Sequence, residues 1–372
     1  MKLSTALLSL CLLGGVSAAP TLGDATKISV VNGFQVAEFI GEDGTEKIVF
    51  TDLLNSTWAA PDLSGLTRSL LGYPEDSGDA EDSDLEERAP VAKALTQETY
   101  NYLEKQVKLA NIAYCGGTSQ LISPFVCAYQ CKEFPTVELV TTWDTDGLNV
   151  SPAVAGYLAI DHESKEFILG FRGSKTLKDW LVNLNTIRVP VNKKYAPCKG
   201  CEVHLGFYNA YKATLGIFES TLTYLRSKHP EYRLNVVGHS LGGAVALLVA
   251  TDFKQRGYDT QLTTFGQPIV GNTKFANHID NLWFGTQAES STGQFHRVTH
   301  RNDIVPLVPF WLGYSQTAGE IFIGAPNLAP PLDSLRVCEG RNSRECLNGN
   351  SILGLLELSA HTEYFVALGG DC

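Results

Sequence analysis

Leu234-Asn235-Val236-Val237-Gly238-His239-Ser240-Leu241-Gly242-Gly243-Ala244-Val245-Ala246-Leu247-Leu248-Val249-Ala250 is the stretch whose reading decides the fold of this chain. Residues 234–237 form a short run that favours a strand. Residues 243–250 are apolar on every side, which predicts a buried helix. Between the two sits a G-x-S-x-G pattern. In a strand–turn–helix context this pattern marks a sharp turn that presents a serine as a nucleophile. A serine at the tip of such a turn sits on strained backbone. Side chains two residues to either side would strike the neighbouring strand and helix, and glycine removes both clashes. The hydroxyl then lies at a helix N-terminus, where the backbone dipole favours developing negative charge. A phosphate-binding loop would need Lys-Ser or Lys-Thr after the glycines, and Ala244-Val245 stand there instead.

The 372 residues allow one large domain or two ordinary ones. Lys2 followed by an apolar run over residues 7–15 and the small residues Val16-Ser17-Ala18 resembles a secretory leader, so residues 1–18 are expected to be a signal peptide. That run is too short to span a bilayer, and no later stretch is long and apolar enough to do so. Residues 19–88 are expected to be an acidic pro-segment. They carry 15 acidic and 4 basic residues and end in a charged run from Glu75 to Arg88, which cannot bury apolar area. Processing is expected near the single Arg88, leaving residues 89–372 as the catalytic domain. That remainder holds 25 acidic and 24 basic residues, so the formal charge of −11 belongs to the pro-segment. A near-neutral domain without a basic patch argues against a nucleic-acid partner. Asn149-Val150-Ser151 is a glycosylation sequon weakened by Pro152, and Asn55-Ser56-Thr57 would leave with the pro-segment.

Cysteine usage agrees with export. Cys11 falls in the leader, and eight cysteines remain, an even number that implies disulfides. Spacing selects Cys127 with Cys131, Cys198 with Cys201, and Cys338 with Cys346. Cys115 and Cys372 are left to tie the two ends of the domain together. A redox or zinc role for Cys198-Lys199-Gly200-Cys201 would need a strand–helix context or a second matching pair, and the chain offers neither.

Leu103, Val107, Ala110 and Tyr114 recur at helical spacing, which predicts an amphipathic helix over residues 96–114. Residues 154–160 and 167–171 read as a hairpin, and residues 207–226 as a helix stopped before Pro230. Further strands are expected at 261–265 and 295–299, with a helix over 272–281 between them. Strands alternating with helices predict an α/β fold with a mostly parallel central sheet covered on both faces.

A serine hydroxyl needs a base at neutral pH. Around a turn of this kind the chain order is serine, then acid, then histidine. Beyond Ser240 stand His278, in a predicted helix, His296 and His300, on or beside a predicted strand, and His361 in a loop-like stretch. His361 is therefore the candidate base. Asp303 follows the strand at 295–299, at the sheet edge where Ser240 lies, and is the candidate acid that orients the imidazole. Asp280 and Asp333 have no such placement.

Taken together, these motifs resemble the filamentous-fungal class 3 lipases, over residues 96–372. The stretches that carry the resemblance are Phe171-Arg172-Gly173-Ser174, Val203-His204-Leu205-Gly206-Phe207, Gly238-His239-Ser240-Leu241-Gly242-Gly243, Phe265-Gly266-Gln267-Pro268, Arg301-Asn302-Asp303-Ile304-Val305-Pro306, Cys338-Glu339-Gly340 and His361-Thr362-Glu363-Tyr364-Phe365. The resemblance implies an α/β-hydrolase fold and a triad of Ser240, Asp303 and His361, in agreement with the elimination above. It also implies an oxyanion hole from Ser174 and the Leu241 backbone, and it supports the four disulfides. The family's processing site is often dibasic, whereas Glu87-Arg88 stands here.

After Ser174, the apolar residues Leu177, Trp180, Leu181 and Leu184 form one helical stripe. Their position matches the family's short helical lid, which covers the site in water and turns its apolar face onto lipid. The expected activity is lid-gated hydrolysis of acylglycerol esters, triacylglycerol first, at a lipid–water interface. No cofactor or metal is expected, and the expected state is a secreted monomer. A mono- or diacylglycerol lipase and a feruloyl esterase remain alternatives on the same fold, although a feruloyl esterase would favour a polar lid over Leu177 and Trp180. An inactive hydrolase-like binding protein would not require the triad.

Overall fold

The computed structural model describes residues 27–31, 34–40, 46–52, 93–117, 119–128, 130–146, 148, 151–174, 180, 187–191, 198–285, 293–309, 313–326, 328–341, 343, 345–347 and 356–369, with backbone alone described at 27–52 and 356–358. Among these residues the chain first forms β1 (Lys27–Val31), β2 (Phe34–Ile40), β3 (Glu46–Asp52) and β4 (Lys93–Ala94). It continues through α1 (Gln97–Ile112), β5 (Val137–Asp144), β6 (Ala155–Asp161), β7 (Glu166–Phe171), β8 (Arg188–Pro190), β9 (Glu202–His204) and α2 (Leu205–Lys228). Then come β10 (Arg233–His239), α3 (Leu241–Gln255), β11 (Thr260–Phe265), β12 (Gly271–Asn272), α4 (Thr273–Phe284) and β13 (Phe295–His300). The last elements named here are β14 (Tyr314–Ser315), β15 (Glu320–Ile323), β16 (Leu335–Val337) and β17 (Leu356–Glu357).

The central sheet has the order β4-β16-β15-β13-β11-β10-β7-β6-β5. Its middle pairings, β7 with β10, β10 with β11, β11 with β13 and β13 with β15, are parallel. Antiparallel pairings close it at both flanks, including the hairpin expected between β6 and β7. Successive side chains on a strand point to opposite faces, and each face is covered here. Leu234 and Val236 of β10 pack with α2 and α3, while Val237 packs with α1 on the other side. Helix α3 is buried from Leu241 to Phe253, as its uniformly apolar sequence demands.

Thr96 caps α1, its side chain accepting from the Thr99 amide at 3.2 Å. The helix stops at Ile112, short of the expected end, and a 3₁₀ turn over Ala113–Cys115 follows. Leu103, Val107 and Ala110 keep to the core stripe. Tyr114 leaves it and reaches the end of β10 instead.

The turn between β10 and α3 shows why its glycines are required. Ser240 has φ 59° and ψ −132°, a strained region for a residue with a side chain. A Cβ on Gly242 would lie 2.3 Å from the Phe171 carbonyl oxygen, and one on Gly238 would lie 2.5 Å from that of Gly242. Both glycines are therefore fixed by close backbone approach, and β7, β10 and α3 meet at the serine.

Three disulfides join Cys127 to Cys131, Cys198 to Cys201 and Cys338 to Cys346. Cys115 is also disulfide-bonded, and its expected partner Cys372 lies outside the described residues. The expected leader, the acidic run before Arg88 and Asn149 lie outside them as well. Sequence reading assigned no element to residues 27–52, yet β1, β2 and β3 form an antiparallel meander there, and β3 pairs with β17. Asn32-Gly33 between β1 and β2 is a strong hairpin signal that would have revealed it. No helix among the described residues is long and apolar enough to cross a membrane.

Candidate active site

Ser240 ends the turn at the C-terminal edge of β10, and its amide donates to the Phe265 carbonyl at 2.9 Å. Its side chain is buried, and its Oγ has no hydrogen-bond partner among the described residues. Parallel strands place their C-terminal ends on one rim, so β13 delivers Asp303 to the same edge. The turn after β13 passes through Asn302, whose positive φ of 65° reverses the chain. Asp303 then sits wholly buried.

A buried carboxylate is costly unless its oxygens are satisfied. Here Oδ1 accepts from the Val305 amide at 2.9 Å, and Oδ2 accepts from the Tyr364 hydroxyl at 2.6 Å. His361 Nδ1 lies 3.0 and 2.9 Å from the two oxygens. Burial alone would raise the Asp303 carboxyl. Electrostatic attraction to the His361 imidazole and the His361, Tyr364 and Val305 donors outweigh burial, so the group lies below the usual carboxylate range. The carboxylate therefore accepts from Nδ1–H, which leaves the His361 Nε2 lone pair free. Nε2, like Ser240 Oγ, is buried and has no hydrogen-bond partner among the described residues. Gly266, at φ 57°, makes room for this pair, because a Cβ there would lie 2.8–3.0 Å from His361 and Asp303 atoms.

His239, the residue before Ser240, packs its ring 4.6 Å from that of His361 and hydrogen-bonds the His361 carbonyl at 2.8 Å. Ser240, Asp303 and His361, separated by up to 121 positions in the chain, are thus drawn into one cluster.

Ser174 follows Gly173, whose added Cβ would lie 2.8 Å from Ser240 Cβ, so this segment runs directly against the serine. Arg172 braces it. Its Nε donates to the Gly173 carbonyl at 3.3 Å, and its guanidinium pairs with Asp144 at 3.5 Å. Leu241 opens α3 beside Ser240. Of the expected lid stripe, Leu177, Leu181 and Leu184 lie outside the described residues. Trp180 is helical and buried, stacked on Phe207 of α2 at 6.3 Å and 24°. Among the described residues no His, Cys, Asp and Glu cluster is arranged to hold a metal ion.

Sequence reading gave no role to four residues of this cluster. Tyr364 and Gly266 stand in motifs that carry the family resemblance. His239 is the variable position of the serine pattern, and the helical spacing of Tyr114 points only to a core residue. A polar aromatic three residues after a candidate base was the one signal available for Tyr364.

Residues 168–313 match the family model described as Lipase (class 3). The chain is 33% identical over 293 residues to a protein of Gibberella zeae named secreted mono- and diacylglycerol lipase 2, covering 70% of this chain and 71% of that protein. It is 34% identical over 294 residues to Lipase A of Sodiomyces alcalophilus, covering 69% of each. The fold matches the crystal structure of the Lip2 lipase of Yarrowia lipolytica with a TM-score of 0.69 and 39% identity, covering 75% of this chain and 97% of that one.

The Tyr364 hydroxyl bears on pH-dependent stability. Its bond to the charged Asp303 carboxyl is of the kind worth about 1.5–3 kcal/mol. A carboxyl held low in the folded state stabilises above its unfolded pKa, and that contribution is lost as pH falls through the folded value. Tyr364→Phe is expected to cost about 1.5–3 kcal/mol at neutral pH, with the gap to wild type closing below about pH 4. Urea unfolding of both proteins at neutral and acid pH checks this. A gap that widens in acid would contradict the assignment.

Proposed function

The chain belongs to the class 3 lipase family, and on that premise we propose that it is a secreted serine hydrolase that cleaves acylglycerol esters through Ser240, His361 and Asp303. One observation carries the reading: the His361 imidazole has Nδ1 committed to a buried carboxylate and Nε2 uncommitted, against the strained turn that holds Ser240. In the proposed reaction Nε2 takes the Ser240 proton as Oγ attacks the ester carbonyl. Asp303 stabilises the imidazolium that results. The Leu241 amide and Ser174 bind the tetrahedral oxyanion. His361 returns the proton to the leaving alcohol, and water then cleaves the acyl-enzyme by the same sequence in reverse.

The substrate is read as triacylglycerol first, because an apolar lid suits a water-insoluble substrate. A mono- or diacylglycerol preference is the second reading, favoured by the names of relatives such as that of Gibberella zeae. Rates on emulsified tri-, di- and monoacylglycerols, with methyl ferulate alongside, separate these substrates. The relatives' names also support export. Removal of residues 1–18 and processing near Arg88 would start the mature protein near Ala89. Mass spectrometry of the secreted N-terminus is expected to find that start, and an active form that retains residues 19–88 would refute it.

Ser240→Ala is expected to reduce ester turnover by about 10⁶-fold with the fold retained, since triad members act as a unit. Ser174→Ala is expected to cost roughly 10²–10³-fold, as for loss of one oxyanion donor. Turnover of a dissolved p-nitrophenyl ester measures both, and substantial activity in pure Ser240→Ala would end the hydrolase reading.

Gating is proposed to pass through Trp180, whose ring stacks on Phe207. At a lipid surface the ring exchanges that contact for another apolar one, with its N–H suited to the wet boundary. Trp180→Ser is expected to lower the rate on emulsified acylglycerol more than on a dissolved short-chain ester. An unchanged ratio of the two rates, with no wild-type rate increase above the substrate's solubility limit, would remove the gate.

A further inference from the structure

His239 sits immediately before Ser240, almost wholly buried, with both ring nitrogens engaged. Nε2 lies 2.8 Å from the His361 carbonyl oxygen and Nδ1 2.6 Å from the Tyr114 hydroxyl. A carbonyl only accepts, so Nε2 carries the hydrogen. Burial, then electrostatic coupling to the neighbouring His361 imidazole, push this imidazole down to about 3, so the ring is neutral. Nδ1 therefore presents a lone pair and accepts from the Tyr114 O–H. The Gly173 backbone hydrogen-bonds the same hydroxyl. One continuous set of hydrogen bonds thus joins Gly173, Tyr114, His239 and the main chain of His361.

We infer that Tyr114 and His239 form a clamp that positions the base His361 from its backbone, and that both are positioning residues for the reaction proposed above. Asp303 fixes the imidazole of His361 through Nδ1, and His239 fixes the carbonyl of the same residue. With both points held, Nε2 has one place to be. That place is set relative to Ser240, because His239 and Ser240 are adjacent in the chain. The clamp also has an electrostatic part. His361 becomes a cation as it takes the serine proton, with the His239 ring 4.6 Å away. A charged His239 would oppose that step. Burial keeps the ring neutral, and the Tyr114 hydroxyl holds the orientation in which Nε2 faces the His361 carbonyl.

The inference rests on Ser240 and His361 being nucleophile and base, and the test keeps the two apart. Steady-state kinetics on a dissolved p-nitrophenyl ester across pH, with thermal unfolding, are measured for four variants of the full chain. His239→Phe, which removes the donor to the His361 carbonyl, is expected to lower kcat roughly 10²-fold with KM within about twofold, the scale of a misplaced catalytic group. His239→Gln, which restores an N–H donor, is expected to recover about tenfold of that loss. Tyr114→Phe, which removes the hydroxyl that holds the His239 ring, is expected to lower kcat about tenfold with KM within about twofold.

Wild-type kcat in Tyr114→Phe overturns the clamp. Loss in His239→Phe without recovery in His239→Gln overturns it too, because the donor would not be what matters. If His239→Phe does not fold, Tyr114→Phe decides alone, since it removes a single oxygen. Turnover surviving in Ser240→Ala would remove the underlying reading. Inactive Ser240→Ala beside unaffected Tyr114 and His239 variants would remove only the clamp.

Discussion

The backbone of Ser240 is the constraint on which the rest of the structure depends. A non-glycine residue at φ 59° and ψ −132° costs on the order of 1–3 kcal/mol and persists only where its surroundings leave no alternative. The surroundings here are the end of β10, the start of α3, and the Phe171 and Arg172 carbonyls at and just past the end of β7, all within contact distance of the two flanking glycines. Both faces of the sheet are packed to hold them. The fully buried α3 cannot shift without opening the main core, and β10 is gripped between β7 and β11 along its whole length. The strain at one residue is thus offset by the burial of several elements.

The same edge of the sheet shows how a buried charge is accommodated. Asp303 is surrounded by donors from three places: an amide two residues on, a hydroxyl and an imidazole. Between β13 and the next strand, β15, Arg297 and Glu320 form a buried ion pair at 3.3 Å, and Glu320 also accepts from the Thr299 hydroxyl at 2.6 Å. That pair ties β13 to β15 just before the turn that carries Asp303. Buried pairs of this kind add little net stability, but loss of either partner is costly. They therefore hold the strand ends in register where a small displacement would misplace the proposed acid.

Sequence reading recovered the parts whose physics is local. The strand–turn–helix around Ser240 follows from a switch of hydrophobic period and from two glycines that only close backbone approach explains. Chain order and the position of Asp303 after a strand singled out three residues that the fold then gathers. The hairpin of β6 and β7 and the close cysteine pairs were legible for the same reason, because the partners lie near one another in the chain. The meander of β1, β2 and β3 was legible as well, through Asn32-Gly33, and passed unread.

Tyr114 marks where local reading stops. Its spacing from Leu103, Val107 and Ala110 placed it on the core face of a helix, because periodicity reports which side a residue shares and nothing about what lies opposite. Only the end of α1 at Ile112 and the change to a 3₁₀ turn aim the phenol at His239, 125 positions later. Tyr364 and His239 likewise acquire partners across 61 and 122 positions. By itself the sequence determined the serine turn, the order of the site residues and the α/β layering, since these rest on neighbouring side chains and backbone sterics. The tertiary structure alone decided which polar atoms meet, because sheet order and helix ends set those distances, and no spacing along the chain encodes them.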